Sequence, residues 1–138
     1  MAALLAGLLL LASQPGGGCT ISVGARTDGS FAQAGYRLTP RHLERLAAQT
    51  RERFAAAARR LCLAGVLRPA DLARFGELIV QNGEGATEPL IYREADLPPR
   101  SFVFQYAFQE GGPPEPAAIE QALRCWKRPQ SRGCEPGD

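Results

Sequence analysis

One histidine, one lysine and one tryptophan stand in this chain of 138 residues: His42, Lys127 and Trp126. The shortage of histidine removes most metal chemistry, because a structural zinc site wants Cys-x-x-Cys pairs or several histidines and neither pattern is present. Catalysis is narrowed as well. A serine–histidine–acid triad would have to use His42, and no Gly-x-Ser-x-Gly elbow places a serine for it. A dyad of His42 with Cys62 fails on reach, since about twenty residues of helix at a rise of ~1.5 Å hold them roughly 30 Å apart. His42 is therefore read as a solvated surface side chain. Asn82-Gly83-Glu84-Gly85 matches neither GxGxxG nor GxxxxGK and reads as a turn, not a phosphate cradle. No metal, nucleotide or other cofactor is expected.

Long apolar runs are also missing. The longest, residues 1–12 (MAALLAGLLLLA), is too short to span a membrane and has the length of a signal-peptide core. Residues 1–18 are accordingly expected to be an export signal and linker, the breaker Gln14-Pro15-Gly16-Gly17-Gly18 closing it, although no Lys or Arg precedes the run. Lysine is nearly absent while arginine numbers fifteen, a compositional skew in a chain rich in Ala, Gly and Pro. These arginines are interleaved with ten glutamates and four aspartates, for a net charge of +2. Dispersed charge of that kind does not point to nucleic acid as a partner.

What is present fits one exported globular domain over residues 19–128, followed by an irregular tail over residues 129–138. Apolar residues make up 45% and charged residues 22%, so the middle of the chain has the means to form a core. The four cysteines, Cys19, Cys62, Cys125 and Cys134, invite two bridges in an oxidising compartment, and their spacing leaves three connectivities open. A bridge between Cys125 and Cys134 would pin the tail. Cleavage after Gly18 would make Cys19 the first mature residue, an arrangement that resembles a bacterial lipoprotein with an acylated thiol. Gly16 stands where the usual lipobox favours leucine. Localisation is thus expected to be the periplasm, the envelope or the extracellular space, with lipidation and disulfide formation as alternative fates of Cys19.

Thr39-Pro40 opens the clearest helix, a capping hydroxyl followed by proline at the first helical position, and it should run to about Leu63. Leu43, Leu46, Thr50, Phe54, Ala57 and Leu61 share one arc of it, and the opposite arc is basic. Arg60 falls on the apolar arc. Short helical turns are expected after Arg68-Pro69 and a final helix over residues 116–127, with Ile119, Leu123 and Trp126 on one face. Ile21, Val23 and Ala25 alternate as a strand, Asp28-Gly29 signals a tight hairpin, and a return strand over residues 31–38 follows from it. Three more strands are expected at 77–81, 90–94 and 101–108, joined by short connections into an antiparallel meander. In the last of these Phe102, Phe104, Tyr106 and Phe108 project to one face, which the two long helices would cover. The expected fold class is α+β, with an antiparallel sheet of three to five strands packed on one face by a long helix and a C-terminal helix. A long helix followed by an antiparallel meander is similar in architecture to cystatin-like inhibitors.

Function is narrowed by elimination to a small exported binding or interaction protein without catalytic activity. An enzyme inhibitor is the first alternative. The candidate binding loops are residues 82–87 and 109–116, and Asn82, Gly83, Glu84, Gly85, Gly111 and Gly112 expose backbone there. A second alternative is a hydrolase with carboxylates from Glu84, Glu88, Glu94 or Asp96, which requires two of them to converge in a deep polar pocket. The partner is expected to be a protein or envelope component. Membrane-surface contact through a lipidated Cys19 and the arginines of the long helix is a further expectation.

Overall fold

The computed structural model describes residues 18–35, 37–108 and 112–134. The expected export segment, apart from Gly18, lies outside the described residues, as do Gly111 and the last residues of the tail. The elements run β1 (Gly24–Thr27), α1 (Ser30–Gln33), α2 (Pro40–Leu63), α3 (Pro69–Leu72), β2 (Glu77–Asn82), β3 (Leu90–Tyr92), β4 (Ser101–Tyr106) and α4 (Pro116–Lys127). The fold is α+β.

Helix α2 starts where the sequence expects it. The Thr39 hydroxyl accepts from the His42 N–H at 3.2 Å, Pro40 occupies the first turn, and Gly65, with φ 81°, follows the last turn. Its buried residues are Leu46, Ala47, Thr50, Phe54, Ala57, Ala58, Leu61 and Cys62, so the apolar arc is one residue wider on each turn than the leucines alone imply. Thr50, wholly buried, donates its hydroxyl to the Leu46 carbonyl at 2.8 Å and leaves no polar atom unsatisfied.

The four strands form one sheet in the order β1-β2-β4-β3. β1 and β2 are parallel, β2 and β4 are parallel, and only β3 and β4 run antiparallel. This corrects the antiparallel meander: the sheet is mixed, and the similarity to a cystatin-like meander goes with it. The reason is burial. β4 buries Ser101, Phe102, Val103 and Phe104 in succession, and β2 buries Leu78, Ile79 and Val80. Runs apolar on both faces belong in the middle of a sheet, while a strand of three residues flanked by Arg93 and Glu94 is suited to its edge. β4 therefore inserts between β2 and β3.

The expected hairpin after β1 is also replaced. Asp28 Oδ1 accepts from both the N–H and the hydroxyl of Ser30, which starts α1 in place of a return strand. Phe31 on α1 is 1% exposed and its ring lies 5.5 Å from that of Phe108. Removing it from solvent favours the helix over an exposed β edge, by roughly 1.5–3 kcal/mol for a buried phenylalanine.

The core lies between the sheet and the pair α2 and α4. Leu78, Val80, Phe102, Phe104 and Phe108 face it, with Ile119 and Leu123 of α4 above. Phe54 packs edge-on against Phe75 at 5.0 Å and Phe104 at 6.3 Å between ring centroids. Trp126 closes one end at 4.7 Å from Phe75 and 5.9 Å from Phe102. Two bridges brace the layers: Cys19 to Cys62, tying the start of the described chain to α2, and Cys125 to Cys134, folding the tail onto α4.

Candidate functional site

Among the described residues β3 has no strand beyond it, and α4 runs along that edge at a distance that leaves a groove. Leu90, Ile91 and Tyr92 line one side, Ala118, Ala122 and Trp126 the other, and the groove, open to solvent, has a volume of about 500 Å³. That size is within the usual range of binding sites. Alanines at two α4 positions keep the helix surface low enough for the groove to exist. The Cys125–Cys134 bridge fixes one end of it, and Glu88 and Arg93 supply a charge of each sign beside β3.

Leu90 is 50% exposed, unusual for a leucine in a sheet. Ile91 pairs with Phe104 and turns toward the core, whereas Tyr92 pairs with Val103 on the opposite face. The Tyr92 hydroxyl donates to Gln81 Oε1 at 3.3 Å, Gln105 Nε2 donates to the same oxygen at 2.7 Å, and Gln81 Nε2 donates to Asp28 Oδ2 at 3.0 Å. This ladder joins side chains of β2, β4 and β3 on the face opposite α2 and α4. Burial, together with the negative charges of Glu94 and Asp28, pushes the Tyr92 hydroxyl above the ordinary tyrosine value, which keeps it a donor. Burial also acts on Asp28, but the hydrogen bonds from Ser30 and Gln81 outweigh it and hold that carboxyl below its usual range.

Trp126 offers the groove a ring already held on its other sides. Arg74 lies over it, with its guanidinium carbon 4.8 Å from the centroid. A rigid aromatic surface next to an alanine-lined helix is the kind of anchor that dominates interface energetics.

The expected binding loops are placed differently from one another. Gly83 is buried: its N–H donates to the Tyr106 carbonyl, and a Cβ there would collide with Gln105 Cγ. Asn82 accepts from the Phe108 N–H through Oδ1 at 3.2 Å, so these two residues lock the ends of β2 and β4 together. Glu84 and Gly85 are exposed, Gly85 with φ 83°. Gly112 meets Thr87, Tyr106 and Ala107 in a hollow of about 170 Å³, too small for more than a side chain or two.

Of the four carboxylates, Glu88 borders the groove, while Glu84, Glu94 and Asp96 stand exposed on loops. The basic helix is partly engaged. Arg53 donates to the Pro114 carbonyl at 2.9 Å, and Arg60, the residue on the apolar arc, pairs with Glu120 at 3.4 Å. His42 is exposed, its Nδ1 2.8 Å from the Thr39 hydroxyl. Cys19 is bonded to Cys62 in a disulfide. Two disulfides suit an oxidising location outside the cytosol.

Sequence reasoning passed over the groove. Leu90 and Ile91 read as an ordinary strand, and only their pairing partner decides which edge they occupy. Among the described residues no helix is long and apolar enough to cross a membrane, and no three His, Cys, Asp or Glu side chains gather as a metal site. Comparison with known protein families, with curated proteins and with solved structures finds no match for this chain.

Proposed function

We propose that this is an exported binding protein of the periplasm or envelope that grips an extended segment of a partner polypeptide along the edge of β3. The partner would add a strand to the sheet, its backbone pairing with β3 and its alternate side chains seating on Ile91 and Trp126 on the α4 side and on Leu90 on the other face. The observation that carries this reading is the edge strand itself. An edge strand unpaired among the described residues is a surface that proteins ordinarily cover or charge, and here Leu90 of that strand is left half exposed. The bridges make the groove rigid before a partner arrives, which lowers the entropy lost on binding. Catalysis has no part in the proposal.

The test is to pan a random peptide library on the oxidised protein and to synthesise the selected sequences with and without N-methylation of alternate backbone amides. Strand addition predicts that N-methylation on the pairing side lowers affinity at least tenfold, and that Leu90→Asp does the same while leaving the melting temperature within a few degrees. Selected peptides that tolerate N-methylation at every position would contradict it.

A further inference from the structure

A second concavity lies on the other side of the Cys125–Cys134 bridge, bounded by Gly65 and Val66 after α2 and by Arg124, Arg128, Ser131 and Arg132, with a volume of about 360 Å³. Arg124, Arg128 and Arg132 are all exposed, and none has a carboxylate within 4 Å among the described residues. Lys127 beside them is already engaged by Asp71. The C-termini of α2 and α4 both end here. Each contributes roughly half a negative charge, about one unit together, so the three arginines exceed what the helix ends neutralise. Glu135 and Asp138 follow in the sequence, yet residues 124–138 still hold four basic side chains against these two acidic ones.

Like charges brought together repel, and here the bridge and two backbone hydrogen bonds, Ser131 N–H to the Arg128 carbonyl and Cys134 N–H to the Ser131 carbonyl, hold them in a tight loop. A preformed cationic hollow carrying a hydroxyl is built for a phosphate-bearing anion. The position of the hollow indicates the source. Gly18 packs against Pro69 of α3, the next residue, Cys19, is bridged to Cys62, and Gly65 lies three residues further along. The cationic hollow therefore sits at the end of the domain where the described chain begins at Gly18, which in sequence follows the apolar run of residues 1–12. No aromatic ring lines it, so it has no platform on which a nucleobase would stack.

We infer that Arg124, Arg128 and Arg132, with Ser131, form a site for the phosphate headgroups of anionic phospholipid, which seats this end of the domain on a membrane surface. The inference stands apart from the peptide groove, which faces the other side of the bridge.

The experiment measures sedimentation of the oxidised full chain with phosphatidylcholine vesicles made with and without phosphatidylglycerol. Two triple variants are compared, R124Q/R128Q/R132Q and R37Q/R41Q/R45Q, the latter removing the same charge from exposed positions at the far end of α2. Thermal melting of each variant checks that it is folded. A basic residue near an anionic surface contributes about fivefold, so the first variant should lose on the order of 100-fold of its phosphatidylglycerol-dependent binding. The second should keep most of it. Equal losses from both variants would overturn the site, since net charge alone would then explain binding. Sedimentation indifferent to phosphatidylglycerol would overturn it too, as would saturable binding of glycerol 3-phosphate through the same arginines without any preference for anionic vesicles.

Discussion

Lys127 holds both oxygens of the Asp71 carboxylate, its Nζ 3.0 Å from Oδ1 and 2.8 Å from Oδ2. The only lysine of the chain thus fastens the end of α4 to α3, and Asp71 at the same time accepts from the Arg68 N–H at 2.7 Å. Burial alone would raise the Asp71 carboxyl, but the bonds from Lys127 and Arg68 and the positive charges of Lys127 and Arg74 outweigh it, and the net shift is downward. The stabilisation is therefore complete above the unfolded aspartate value of about 4 and is lost as pH falls through the lower folded value. Asp71→Asn should cost about 1–3 kcal/mol at neutral pH, less than a fully buried pair because Lys127 still meets water. Urea unfolding of both proteins from pH 7 downward should show the difference narrowing only below about pH 4. A constant difference would contradict the assigned role.

The two bridges close loops of different length, with sequence separations of 43 and 9. Loop-closure entropy then assigns about 4 kcal/mol to Cys19–Cys62 and about 3 kcal/mol to Cys125–Cys134. Paired cysteine-to-alanine variants should rank in that order in urea midpoint.

Alkylation read by intact mass should give no modified cysteine before reduction and four after it. Three alkylated cysteines and a lipid mass on the remaining one would mean that Cys19 is acylated in place of its bridge to Cys62.

The sequence marks Gly83 as a binding-loop residue, and its packing gives it a structural part. Gly83→Ala has to displace Gln105, which disturbs the hydrogen bonds that Gln105 shares with Gln81 and Tyr92. A loss of about 1–3 kcal/mol is expected from thermal unfolding.

α2, α3 and α4 were legible because their signals are local. Thr39-Pro40 and Gly65 mark the ends of α2, and the spacing of Leu46, Phe54 and Leu61 marks its buried side. The aromatic face of β4 was legible for the same reason. Strand order was not, because pairing β2 with β4 across the intervening β3 depends on which runs are buried from both sides, and alternation within one strand does not report that. At Asp28-Gly29 two local signals competed. The bonds from Asp28 to Ser30 and the burial of Phe31 favour a helix over the hairpin. The groove depends on both of these long-range outcomes, since Leu90 becomes an edge residue only once β4 has inserted.

The most direct measurement on the central claim is amide hydrogen exchange of the oxidised protein with and without a peptide selected from the library. Pairing along β3 predicts slower exchange at amides within Leu90–Tyr92, with little change in β1 at the opposite edge of the sheet. Protection confined to β1, or to the loop at Glu84 and Gly85 with β3 unchanged, would contradict it.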